Sequence, residues 1–121
     1  MILTFPWPPK ELSPNARVHW AKKAKAAKAY KASCLMIAMA GGLRAIKADM
    51  LGLLITFNPP DNRRRDLDNM LSSFKAGIDA ISMRTGINDS DFQITIAKQP
   101  VTPKGTVMVE IEAIRPAKAA A

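Results

Sequence analysis

Two aspartates one residue apart, Asp66 and Asp68, directly follow three consecutive arginines in the run Arg63-Arg64-Arg65-Asp66-Leu67-Asp68-Asn69. In an extended segment residues i and i+2 project to the same side, so both carboxylates can converge on one point. Two carboxylates held together repel, and a hard divalent cation relieves that repulsion. Mg²⁺ suits such a pair: it takes one or two carboxylates and fills its remaining octahedral positions with water and phosphate oxygens. The arginines fit the same chemistry by gripping phosphate beside the metal. A plainer arrangement is also open. Asp68 can be the N-cap of a following helix, accepting a backbone N–H, with Asp66 solvated beside Arg65 and the arginines serving as charge balance.

A second acidic segment, Gly86-Ile87-Asn88-Asp89-Ser90-Asp91-Phe92, can return to this pair and complete a three-carboxylate site through Asp89 or Asp91. It also has the composition of an ordinary polar turn, because Asn, Asp and Ser bond their own backbone locally. Lys75 lies seven residues beyond Asp68, nearly two helical turns, and so projects from the same helix face. There it can stabilise charge developing on a phosphate during cleavage, or it can pair with Asp79 at the i,i+4 spacing. Lys22, Lys25, Lys28 and Lys31, spaced by three, sweep around a helix and are widened by Arg17 and Lys23 into a basic surface. That surface suits phosphate contacts or simply faces solvent. Trp7, Trp20 and Tyr30 can stack on unpaired bases or pack into the core.

The elements that must position these residues follow from local pattern. Ile2 to Phe5 reads as a strand closed by Pro6-Trp7-Pro8-Pro9, with Ser13-Pro14-Asn15 as further loop. A helix is expected from Val18 to Ala40, rich in Ala, Lys, Leu and Met and ended by Gly41-Gly42. Alternation of Leu51, Leu53, Ile55 and Phe57 predicts a strand over Asp49 to Phe57, stopped by Asn58-Pro59-Pro60. After the polar loop Asp61 to Arg65, Met70, Leu71, Phe74, Ile78 and Ile81 predict one amphipathic helix from Asp68 to Met83. Two closing strands, Phe92–Lys98 and Thr106–Ala113, flank Pro100-Val101-Thr102-Pro103-Lys104-Gly105 as a β-hairpin with an extended loop. The order βαβαββ describes a single mixed α/β domain of the α+β type over residues 1–116, two helices covering a mixed sheet. No repeat or long linker divides it, and residues 117–121 are expected to form a disordered tail.

Bulk composition narrows the function classes. At 121 residues with 48% hydrophobic and 23% charged content, the chain is an ordinary small globular protein. Its formal net charge is +8, and the first 35 residues carry seven of the basic groups against one acid. Such an excess suits a polyanion, either nucleic acid or an anionic membrane surface. Cys34 is the only cysteine and His19 the only histidine. An internal disulfide is therefore excluded, a zinc site or Cys-His nucleophile is disfavoured, and Cys34 reads as a small core residue. No apolar run approaches the roughly 20 residues of a membrane span. The opening shows no signal-peptide pattern, so a cytoplasmic location is expected.

The ordered set of motifs resembles the RusA family of Holliday junction resolvases of phages and prophages. The resemblance covers nearly the whole chain: Phe5-Pro6-Trp7-Pro8-Pro9, Ser13-Pro14-Asn15, the lysine- and alanine-rich helix, Arg63 to Asn69, Lys75 with Asp79-Ala80-Ile81, Asn88-Asp89-Ser90, and Pro100-Val101-Thr102 with Lys104-Gly105. It implies a homodimeric endodeoxyribonuclease of DNA recombination and repair. The enzyme would depend on Mg²⁺, with Mn²⁺ able to substitute, and would nick opposed strands of a four-way junction. The implied catalytic residues are Asp66, Asp68, Asp89 and Lys75, with the three aspartates as metal ligands and Asp91 as the alternative third ligand. The expected DNA contacts are Asn15, Arg17, Lys22, Lys23, Arg63, Arg64 and Arg65. The chain departs from the family pattern in two places. The loop that often holds adjacent aspartates reads Asn88-Asp89, and the stretch from Asn69 to Lys75 is about a turn longer than in some members. An isologous dimer fits the approximate two-fold symmetry of a junction. Two other functions share these features, a non-catalytic branched-DNA-binding module and a nuclease preferring flaps or forks.

Overall fold

The computed structural model describes residues 1–114, so the tail expected at 117–121 lies outside the described residues. The elements are β1 (Ile2–Pro6), α1 (Trp20–Ala40), β2 (Met50–Asn58), α2 (Leu67–Ser73), α3 (Lys75–Thr85), β3 (Phe92–Lys98) and β4 (Thr106–Ile114). Short 3₁₀ turns at Lys10–Leu12 and Asp89–Asp91 complete the described chain. This is the expected α+β domain, a four-stranded mixed sheet with three helices. Among the described residues no helix is long and apolar enough to cross a membrane.

The core follows the alternation read from sequence. Leu51, Leu53, Ile55 and Phe57 of β2 are buried, as are Val107, Val109 and Ile111 of β4 and Leu3 and Phe5 of β1. All point to the face covered by helices, where α1 contributes Tyr30, Cys34 and Ala38 and packs against α3. Tyr30 also donates its hydroxyl to the Pro6 carbonyl at 2.6 Å, tying α1 to the end of β1.

Strand order differs from the expected hairpin. The sheet runs β1-β4-β2-β3, with β4 antiparallel to both neighbours and β3 parallel to β2. β2 and β4 each bury a full row of apolar side chains and occupy the interior, whereas β3 is mostly exposed and forms an edge. Residues 99–105 therefore cross the end of β2 instead of turning back on β3. Gln99 N–H donates to Phe57 O at 2.9 Å, Asn58 Nδ2 to Pro100 O at 3.0 Å, and Thr102 N–H to Pro59 O at 3.0 Å. Gly105 ends the crossing at φ 72°, and a Cβ there would stand 2.9 Å from Pro60 and 3.0 Å from Trp7.

The single helix expected over 68–83 is two. Phe74, at φ −93° and ψ 5°, separates α2 from α3. Its ring is fully buried, with centroids 5.6 Å from Phe5 and 6.3 Å from both Tyr30 and Phe57. Gly77 leaves room for that ring: a Cβ there would lie 2.3 Å from Phe74 Cε1. Met70, Ile78 and Ile81 are buried as the spacing requires. Gly86 then ends α3 in the left-handed region at φ 78°.

Candidate functional site

A cleft of about 660 Å³ opens between the chain segment after β1 and the segment entering α2. One wall carries Trp7, Pro8, Pro9, Lys10, Ser13 and Asn15, and the other carries Pro60, the three arginines, Asp66, Asn69, Met70 and Ser73. The prolines build the first wall because they cannot extend β1 as a ladder strand. On the second wall Asp66, Asn69 and Ser73 recur at three and four residues, one face of a short helix. Ser73 Oγ donates to Asn69 O at 2.9 Å within that face.

The three arginines are not equivalent. Arg65 Nη1 lies 2.8 Å from Asp61 Oδ1 and also donates to Asp61 O at 3.1 Å and Arg63 O at 3.3 Å. Its guanidinium carbon sits 5.4 Å from the centre of the Trp7 ring, a cation–π contact. The Trp7 ring also meets Phe57 edge-on, with centroids 6.0 Å apart. Arg65 is thus locked into the cleft wall, with its side chain 16% exposed. Arg63 pairs more loosely with Asp61 at 3.3 Å and stays 79% exposed. Arg64 is exposed and, among the described residues, has no ion pair. The hydrogen bond from Arg65, followed by those from the Arg63 backbone and side chain, holds the Asp61 carboxyl well below the usual carboxylate range. Sequence reading passed over Asp61 as loop, although its place two and four residues before Arg63 and Arg65 is the signal that marks it.

Asp66 and Asp68 do not have the convergence of an extended pair. The helix begins at Leu67, so Asp66 is the N-cap and Asp68 belongs to the first turn. At 3.6 residues per turn, a separation of two carries a side chain about halfway round the axis. Asp66 lines the cleft and Asp68 does not. The expected cap at Asp68 is also displaced: Asp68 Oδ1 accepts only the Asn69 N–H at 3.0 Å. Asp66 makes no capping bond, and among the described residues its carboxylate has no protein partner.

Lys75 and Asp89 meet each other. Lys75 begins α3, with Nζ 2.7 Å from Asp79 Oδ1 and 2.5 Å from Asp89 Oδ2. The i,i+4 pair is therefore present, and Asp89 joins it from the turn before β3. The break at Phe74 ends the continuous two-turn path that would have set Lys75 beside Asp68. Hydrogen bonds from Lys75 to Asp79 and then Asp89 raise the lysine pKa, and the same bond lowers that of Asp89. Asn88 Oδ1 accepts the Ser90 N–H at 2.9 Å, the local turn chemistry foreseen for this segment, and Asp91 is exposed. Among the described residues, no three His, Cys, Asp or Glu side chains are grouped closely enough to hold a metal ion. A hard cation needs fewer, since Mg²⁺ binds through one or two carboxylates with water and phosphate oxygens as its other ligands. The carboxylate of Asp66, which lines the cleft, is a donor of that type, whereas Asp68 stands outside the cleft.

The basic residues of the first third surround the approach to α1. Arg17 and Lys22 are exposed and Lys23 is half-buried. His19 caps α1, its Nδ1 accepting the Ala21 N–H at 3.1 Å, and its ring lies 5.5 Å from Trp20. Trp20 is 76% exposed, whereas Tyr30 and Cys34 are core residues.

No family model matches the chain. It is 38% identical over 116 residues to a protein of Xylella fastidiosa, an alignment covering 93% of this chain and 76% of that protein. The chain belongs to that protein's family. The relative is described as an uncharacterized protein, so kinship assigns no chemistry and the cleft must be read on its own geometry.

Proposed function

We propose that the protein is a metal-dependent endonuclease of branched DNA, of the RusA type, acting in the cytoplasm on four-way junctions. The observation that carries this reading is the cleft in which Arg63, Arg64 and Arg65 meet the unpaired carboxylate of Asp66. A phosphodiester needs cations to grip its oxygens, and Arg64 and Arg63 are exposed to do so. Arg65, pinned by Asp61 and Trp7, sets the wall against which the strand lies. Asp66, whose carboxylate lines the cleft, is the residue that would hold Mg²⁺ or Mn²⁺, with water and phosphate oxygens as the other ligands. When bound, such an ion supplies Lewis-acid polarisation of the scissile phosphate. The net charge of +8 and the basic surface of Arg17, Lys22 and Lys23, with the polar Asn15 nearby in the chain, draw the surrounding duplex arms toward the cleft. A homodimer with a two-fold axis sets two clefts for paired nicks. The test is cleavage of a synthetic four-way junction with and without Mg²⁺, beside Asp66→Asn. The variant is expected to bind the junction and leave it uncut. Full cutting by Asp66→Asn, or by the unaltered protein in EDTA, refutes the metal site.

The ion pair of Asp89 with Lys75 favours a second reading, because it engages the third carboxylate away from the first two. On that reading the fold is a branched-DNA-binding module without catalysis. It is supported by tight junction binding with no cleavage in Mg²⁺ or Mn²⁺. Cleavage rates compared on junctions, flaps and forks at one salt concentration separate a resolvase from a flap or fork nuclease.

A further inference from the structure

The arrangement of the cleft says which part of a strand it receives, an inference that rests on the nucleic-acid reading of the same site. Its volume of about 660 Å³ falls within the roughly 300–1,000 Å³ of sites that enclose one small ligand. A paired nucleotide keeps its base inside the stack and cannot fill a recess, whereas an extruded or single-stranded one can. The walls are divided to match. Arg63 and Arg64 supply exposed cations, while the half-buried Pro9 and Pro60 supply an apolar surface. Asn15 and Asn69 line the same cleft, and their side-chain amides have no protein partner among the described residues. An amide carries both donor and acceptor. A phosphate offers only acceptors and leaves the amide oxygen unused, but a base edge presents both kinds.

We propose that the cleft binds one unpaired nucleotide of a DNA strand, its phosphate on Arg63 and Arg64 and its base along Pro9 and Pro60 within reach of Asn15 and Asn69. The chain contains two tryptophans, Trp7 in the cleft and Trp20 at the exposed start of α1. Indole N–H signals of the ¹⁵N-labelled full-length protein, recorded in EDTA, therefore report the two regions separately. Pentathymidylate is expected to shift the Trp7 signal and leave Trp20 in place. A blunt-ended two-strand DNA duplex and inorganic phosphate, at matched phosphate concentration, are expected to leave Trp7 unmoved. Arg64→Ala, whose side chain is exposed and outside the core, should weaken the pentathymidylate effect about tenfold, the size of one lost charge-assisted contact. A Trp7 shift of equal size with the duplex or with phosphate alone overturns the proposal, as does a response confined to Trp20. EDTA keeps cleavage out of this experiment, so its failure is distinct from failure of the nuclease reading, which the junction assay with Asp66→Asn decides.

Discussion

Phe74 and Gly77 form a pair whose energetic coupling can be worked from the structure. The Phe74 ring is fully buried among Phe5, Tyr30 and Phe57, so Phe74→Ala should cost about 4 kcal/mol, as large-to-small aromatic changes in cores do. For 121 residues, with an unfolding entropy of about 2.1 cal/mol/K per residue, that loss lowers Tm by about 15 °C. Gly77→Ala brings two opposed effects. It adds up to about 1 kcal/mol of helix propensity, but it places a Cβ 2.3 Å from a Phe74 ring carbon, and overpacking costs roughly 1–3 kcal/mol. Alone it should destabilise by about 1 kcal/mol. With the ring removed only the helix gain remains, so Gly77→Ala should stabilise Phe74→Ala by about 1 kcal/mol. The double mutant is then about 2 kcal/mol more stable than additivity predicts. Equilibrium urea unfolding of the four proteins, followed by circular dichroism, measures the cycle. Additivity within about 0.5 kcal/mol, or a stabilising Gly77→Ala in the otherwise unaltered chain, refutes the idea that Gly77 is there to admit the ring.

Three further outcomes are expected. In junction binding, Arg64→Ala should reduce the slope of log affinity against log salt by about 0.9, one phosphate contact. Arg65→Ala should weaken binding through Trp7 while leaving the slope unchanged, and equal slope losses refute that division. The bond to Lys75 lowers the Asp89 pKa from 3.8, so its contribution to stability is present above the unfolded value and lost as pH falls through the folded one. The Lys75 pKa is raised from 10.5, so its part is full below that value and lost as pH climbs through the folded one. The urea midpoints of the unaltered protein and Lys75→Met should therefore differ between these limits and converge in acid below 3.8; a constant offset across the acid limb contradicts the bridge. Burial pushes the Cys34 thiol up to about 11, so it should react with a thiol reagent at neutral pH only as fast as the protein unfolds. Immediate labelling of the native protein would place Cys34 outside the core.

Much of the fold can be read along the chain because the information is periodic and local. Alternation at Leu51, Leu53, Ile55 and Phe57 marks a strand wherever it pairs, and Met70, Phe74, Ile78 and Ile81 mark a buried helix face. The site was less open to this kind of reading. Asp66 and Asp68 are expected ahead of a helix beginning at Asp68, but the helix begins at Leu67, and that one detail of backbone sets their relation. An extended residue pair converges, whereas a pair with its second member in the first turn diverges. Asp61 reads as loop although its spacing from Arg63 and Arg65 is a local signal; only the contact of Arg65 with Trp7, more than fifty residues earlier, lies beyond local pattern.

The sequence by itself determined which segments are strands and helices, where prolines and glycines stop them, and that a strongly basic chain carries a compact set of arginines and aspartates. Tertiary structure alone decided that β4 inserts between β1 and β2, that Phe74 divides one amphipathic helix into two, and that Asp89 meets Lys75. Periodicity specifies the face a side chain turns to the core, and that face is the same whichever neighbour covers it. Strand order, a helix break and an ion pair are set by packing between segments far apart in the chain. Burial of the β2 and β4 rows and of the Phe74 ring settles them only when the whole domain has closed.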